Sequence, residues 1–186
     1  GLNFLTKKNI FGFNKKKKID KKNRLYNKEL GGGAILDLGC YPVSFSCLIA
    51  SIISKINYDK IKFLNKIKEI GSTGVDINSS LNIEFDNGFV SEIKASFSKN
   101  LGTETVINGS SGVLRITNPW TANTSNIILK GKVNKEIKIE FSKNIYSYEI
   151  NSISKDLLER KSRPDFPGVS INETIGSTKI LNEWLS

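Results

Sequence analysis

Between Leu81 and Phe141 the chain repeatedly alternates apolar with polar residues and then breaks at a turn signal, and no other feature limits its fold so strongly. Leu81, Ile83 and Phe85 run into Asp86-Asn87-Gly88, and Phe89, Ile93, Ala95 and Phe97 follow, which is the pattern of a β-hairpin. Glu104–Asn108 and Val113–Thr117 flank Gly109-Ser110-Ser111-Gly112, and Asn126–Lys130 and Lys135–Phe141 flank a turn at Gly131. Strands joined by such short turns pair antiparallel. Lys60–Glu69 alternates as well, and Gly1–Thr6 reads as a further short strand.

Helical periodicity bounds this run on both sides. A helix is expected over Gly33–Ile53 with Leu36, Cys40, Val43, Cys47 and Ala50 as its core stripe. Tyr146, Ile150, Ile153 and Leu157 recur at helical spacing, Arg163–Gly168 is a proline-bearing linker, and Ser170-Ile171-Asn172-Glu173 is a capping box opening the last helix. The order predicts an α+β domain: an open, mostly antiparallel sheet with helices packed on one face. Apolar residues such as Val90 on the other face make it a candidate for dimerisation. The expected layout is one domain over 1–186: a strand remnant and basic loop (1–30), a glycine-led helix (31–54), the sheet (60–141) and closing helices (146–186).

The longest apolar run, Pro42–Ile53, is interrupted by serines, so no membrane span is expected. The net charge of +10 raises the possibility of a nucleic-acid partner. Lys, Ile and Asn are abundant throughout, however, and Arg, the usual bidentate reader, is rare. The one dense patch, Lys15–Lys18 with Lys21 and Lys22, reads as a solvated loop within Lys7–Glu29, so no nucleic-acid partner is expected. Cys40 and Cys47, two helical turns apart, are about 10 Å from one another by helix rise, too far for a disulfide. Reduced thiols imply a cytoplasmic protein. The chain has no His, which removes the usual general base and metal ligand, and no metal site is expected. Its start, Gly1-Leu2-Asn3-Phe4, has no initiator Met and no secretory pattern, as a trimmed or excised chain would.

Chemistry concentrates in Gly31-Gly32-Gly33-Ala34-Ile35-Leu36-Asp37-Leu38-Gly39-Cys40-Tyr41-Pro42. Three glycines allow close backbone approach and are expected to leave helix N-terminal amides free for a polar or anionic group. Asp37 and Tyr41 are four apart and share a helix face. Gly39 between them would let a ligand lie against the helix. A carboxylate beside a phenol is a workable proton-transfer pair, although a phenol titrating near 10 needs a neighbouring cation to serve at neutral pH. On spacing alone the same two residues could equally be a helix-start carboxylate and a half-buried aromatic.

The segment Asn23–Leu30 followed by the glycines, with Asp37-Leu38-Gly39-Cys40-Tyr41-Pro42, resembles the Gfo/Idh/MocA family of NAD(P)-dependent oxidoreductases. The resemblance continues through Gly74-Val75-Asp76 and Leu81–Gly88, through Val106–Ile116, and through Tyr146–Ile150 and Ile180–Trp184. The Cys-Tyr-Pro step is most similar to the dihydrodiol and D-xylose dehydrogenase branch. No dinucleotide-binding glycine turn and no Glu-Lys-Pro occur, so only the C-terminal substrate and dimerisation domain is matched. The resemblance implies catalytic roles for Asp37 and Tyr41, a substrate- or cofactor-facing place for Gly31, Gly32, Gly33 and Arg24 (for Arg24 a surface salt bridge is an equal alternative), and NAD or NADP bound mainly by an N-terminal Rossmann domain. It implies a sugar, polyol or diol as substrate, a catalytic Lys from that other domain, a homo-oligomer, and negligible turnover by this chain alone. The alternative expectation is a non-catalytic dimerisation or scaffold module that retains the fold.

Overall fold

The computed structural model describes the backbone of residues 3–9 and residues 20–120, 125–141 and 144–186 in full. Eight strands form one sheet in the order β2-β3-β4-β1-β5-β6-β7-β8. They are β1 (Asn3–Asn9), β2 (Lys62–Ile70), β3 (Asp76–Glu84), β4 (Val90–Ser96), β5 (Thr105–Gly109), β6 (Gly112–Ile116), β7 (Ser125–Gly131) and β8 (Lys135–Ile139). The three expected hairpins are present: β3 with β4, β5 with β6, and β7 with β8, all antiparallel. The N-terminal strand runs beyond the expected Thr6 to Asn9 and lies at the centre of the sheet, parallel to β4 and antiparallel to β5. The Lys15–Lys18 run, with Phe11 and Phe13, falls outside the described residues.

Three longer helices are described: α1 (Cys40–Ile53), α2 (Ile145–Leu158) and α3 (Ile171–Leu185). α1 and α3 pack on one another and cover the face of the sheet carrying Leu81, Ile83, Phe85, Ile93, Ala95 and Phe97, all at most 2% exposed. The capping box at α3 is formed, with the Ser170 hydroxyl accepting from the Glu173 amide and the Glu173 carboxylate accepting from the Ser170 amide. α2 departs from the expected packing on the sheet: none of its residues is buried, and Tyr146, Ile150, Ile153 and Leu157 are 61–70% exposed.

Two further expectations need correction. The helix start is not regular: Ile35–Gly39 form a π-helical turn ahead of α1. The wider turn shifts the core stripe back by one residue, so Ile35 and Gly39 are buried where Leu36 and Cys40 were expected. Leu36 is exposed and Cys40 only half-buried, while Val43, Cys47 and Ala50 keep their places. By length and composition alone Lys28–Ile53 is apolar enough to cross a bilayer, which its serines did not suggest, although a core helix packed inside a protein meets the same description. Ser46 lowers its own polarity by donating back to the Pro42 carbonyl at 2.7 Å, and the helix spends its buried side on the sheet and α3.

Candidate functional site

The segment before the π turn is wound tightly on itself. Asn23 and Asn27 cap two single 3₁₀ turns, Arg24–Tyr26 and Lys28–Leu30, each side chain accepting the amide two residues on. Gly31 closes the second turn in the left-handed region. A Cβ on Gly32 would lie 2.7–2.8 Å from the carbonyl oxygens of Arg24, Leu25 and Asn27. Gly33, at φ 123°, faces Asp76, whose Oδ1 would be 2.2 Å from a Cβ there. The close approach that these glycines permit is therefore to the chain's own carbonyls and to a carboxylate from β3.

That carboxylate also corrects the expectation of free helix-start amides. Asp76 Oδ2 accepts the Ile35 amide at 2.8 Å and the Ser79 hydroxyl at 3.2 Å, deep in the protein. Burial holds the Asp76 carboxyl above the ordinary carboxylate range, with the Ile35 amide and the Ser79 hydroxyl working against it. Gly39 is likewise committed internally, since a Cβ there would meet the Trp184 ring at 2.6 Å. It lets α1 approach α3; it does not face a ligand.

Asp37 sits on the π turn, where Arg24 Nη2 donates to its Oδ1 at 2.9 Å. The carboxylate is mostly shielded while Arg24 is largely exposed. Tyr41 follows at the start of α1, 50% exposed. Its phenol is pushed above its ordinary value first by burial and then by Cys40, by the Asp37 carboxylate and by Tyr146 at the start of α2. Asp37 thus lies close to both Arg24 and Tyr41, Arg24 forms the salt bridge that was the alternative for it, and Tyr41 is held as a neutral phenol.

Tyr41 borders a cavity of about 230 Å³ whose wall includes Phe45, Leu48, Pro119, Trp120 and Pro167. Phe45 and Trp120 meet edge to face with centroids 5.8 Å apart. Sequence reasoning missed this wall and missed Asp76. Phe45 was within reach, because it continues the i, i+4 series of Asp37 and Tyr41; Trp120 and Asp76 come from distant segments and carried no local signal. Among the described residues one carboxylate group has metal-like spacing, Asp156, Glu159 and Asp165, and the Lys161 ammonium pairs with all three.

The chain is similar to trans-1,2-dihydrobenzene-1,2-diol dehydrogenase of Xenopus tropicalis, 28% identical over 174 residues that cover 90% of this chain and 50% of that protein. The Mus musculus enzyme of the same name is 28% identical over 160 residues, covering 82% and 45%. The chain spans about half the length of the curated relatives it matches. Its fold resembles that of KijD10, a 3-ketoreductase from Actinomadura kijaniata in complex with NADP and TDP-benzene, with a TM-score of 0.72 at 14% identity over 97% of this chain and 51% of that one. An aldose-aldose oxidoreductase from Caulobacter crescentus, complexed with glycerol, superposes with a TM-score of 0.72 at 16% identity over 98% and 51%. The GFO/IDH/MocA C-terminal domain pattern matches residues 8–115, more than half of the chain, and the chain belongs to that family.

Proposed function

We propose that this chain is the substrate-facing half of an NAD(P)-dependent oxidoreductase acting on a hydroxyl or carbonyl of a sugar, polyol or diol. One observation carries the reading: a half-exposed phenol, Tyr41, stands at an aromatic-walled cavity beside a carboxylate, Asp37, whose orientation Arg24 fixes. In the reducing direction Tyr41 donates its proton to the carbonyl oxygen that becomes a hydroxyl. Asp37 accepts a hydrogen bond from a neighbouring substrate hydroxyl and so sets the orientation of the reacting carbon. Phe45 and Trp120 cover the apolar side of the ligand and exclude water. The amides of Gly32, Gly33 and Ile35 offer no site to a dinucleotide phosphate, because they are taken by the Asn27 and Leu25 carbonyls and by Asp76. Such a cofactor would belong to a Rossmann-type domain corresponding to the half of the relatives that this chain does not match.

The relatives named for diol, sugar and ketone chemistry support this reading, and so does the direction of the Tyr41 shift, which suits a proton donor better than a base. The alternative is a non-catalytic dimerisation or scaffold module that retains the fold. The test is the polypeptide encoded by the complete gene, assayed with NADP and NAD against aldoses, polyols and dihydrodiols. Tyr41→Phe is expected to lower kcat at least 100-fold, the lower range for a lost proton donor, with an unchanged Tm. The 186-residue chain alone is expected to show no turnover. Activity of the chain alone, or full activity of Tyr41→Phe, would overturn the reading.

A further inference from the structure

Asp76 opens β3, and its carboxylate holds the helix start, 41 residues earlier in the chain. The side chain is 5% exposed, and space for it exists only because residue 33 is glycine. The helix start has no side-chain cap of its own, since Ala34 carries no side-chain oxygen to accept an amide. The first residue of the π turn, Ile35, is the one that Asp76 holds, and that turn carries Asp37 and delivers Tyr41 onto α1. A π turn is a rare single-turn irregularity within an α-helix, found frequently at functional sites.

We infer that Asp76 is a positioning residue: by clamping Ile35 against the glycine turn it holds the π turn in the register that sets Asp37 beside Tyr41, which borders the cavity. The kinetic side of this inference rests on the oxidoreductase reading; the structural side does not. A displacement of about 1 Å in such a pair is worth on the order of 100-fold in rate. Asparagine has nearly the same shape and removes a buried charge, so Asp76→Asn is expected to fold with little loss of Tm while weakening the clamp.

Two measurements test it. In the complete polypeptide Asp76→Asn is expected to lower kcat about 10- to 100-fold with KM changed less than about 3-fold. In a Tyr41→Phe background the same substitution should lower the residual turnover less than about 3-fold, because the group being positioned is already gone. Equal fold losses in both backgrounds, or a lowered Tm with unchanged kcat, would show a merely structural residue and overturn the inference. In the 186-residue chain, hydrogen exchange at residues 35–41 should quicken at least 10-fold in Asp76→Asn while β3 and β4 stay as protected as before. Unaltered exchange there sinks the clamp whatever the enzyme does. Faster exchange in a complete polypeptide that lacks all oxidoreductase activity would retain the clamp and discard the proposed function. Should Asp76→Asn fail to fold, Ser79→Ala removes one partner of the same oxygen and is read by the same two measurements.

Discussion

A buried carboxylate held above its ordinary range works against the fold when it is ionised, and Asp76 is in that position. A raised folded-state pKa means that the folded chain binds the proton more readily than the unfolded chain does. Its contribution to stability is therefore fully present below the unfolded value near 3.9 and is lost as pH rises through the higher folded value. Asp76→Asn removes this dependence, so the Tm difference between variant and parent should move in the variant's favour as pH is raised from about 3.5 towards neutrality, read by thermal melts. A difference that moves the other way would mean that the Ile35 and Ser79 hydrogen bonds outweigh burial. Gly39 makes a complementary point: Gly39→Ala pushes a methyl into the Trp184 ring between two packed helices, and overpacking of this kind costs about 1–3 kcal/mol. For a chain of this size the melt should fall by a few to about 10 °C. Both residues show what was legible at this scale. Asp37 and Tyr41 stood out because four-residue spacing and chemical type are local. That Gly33 and Gly39 serve Asp76 and Trp184 was not legible, because their partners are supplied by segments 43 and 145 residues further along the chain.

At the scale of elements, turn chemistry was the reliable guide. Asp86-Asn87-Gly88 and Gly109–Gly112 specify tight connections whatever surrounds them, and the hairpins they predict are present in register. The capping box was equally local. Ser170→Ala should cost about 1 kcal/mol of stability, measured by urea denaturation, because it removes the acceptor of the Glu173 amide from a helix that buries Ile180 and Trp184. Two features escaped for a common reason. The parallel pairing of β1 with β4 joins residues more than 80 apart and has no connecting turn to announce it. The π turn is an irregularity imposed by packing, since Gly39 has to meet Trp184 and Ile35 has to meet Asp76 along one continuous helix. Periodicity assumed a uniform 3.6 residues per turn and so placed Leu36 and Cys40 in the core.

The whole molecule covers its sheet unevenly. α1 lies over β1 and β4, α3 packs on α1 and reaches β2, where Lys66 and Lys68 donate to carbonyls at its C-terminal end, and the same face continues across β5–β8, where no helix makes an extensive contact among the described residues. The register places Leu114 and Leu129 in line with Ile107, and Ile116, Ile127 and Ile137 in line with one another, so this half presents an apolar surface. A cavity of about 650 Å³ lined by Ile53, Phe89, Ile107, Leu114, Leu129 and Val133 opens on it. Nearby, α2 carries a second unburied apolar stripe and touches the sheet end through Phe141 and Tyr148, edge to face at 6.3 Å. The opposite face over β2–β4 is held by ion pairs, Lys62 to Glu84 at 2.7 Å and Lys99 to Glu69 at 3.1 Å, with Lys94 against Glu92. Exposed pairs of this kind contribute little and do not drive burial. Apolar area is the stronger force for association. If the chain associates by itself, the α2 stripe should therefore take part before the ion-paired section of the outer face does. Ile150→Glu with Leu157→Glu is expected to shift sedimentation towards monomer with a Tm within a few degrees of the parent, because neither side chain is buried. An unchanged sedimentation profile in that variant, alongside dissociation caused by Ile67→Glu on the outer face of β2, would place the association surface on the sheet instead.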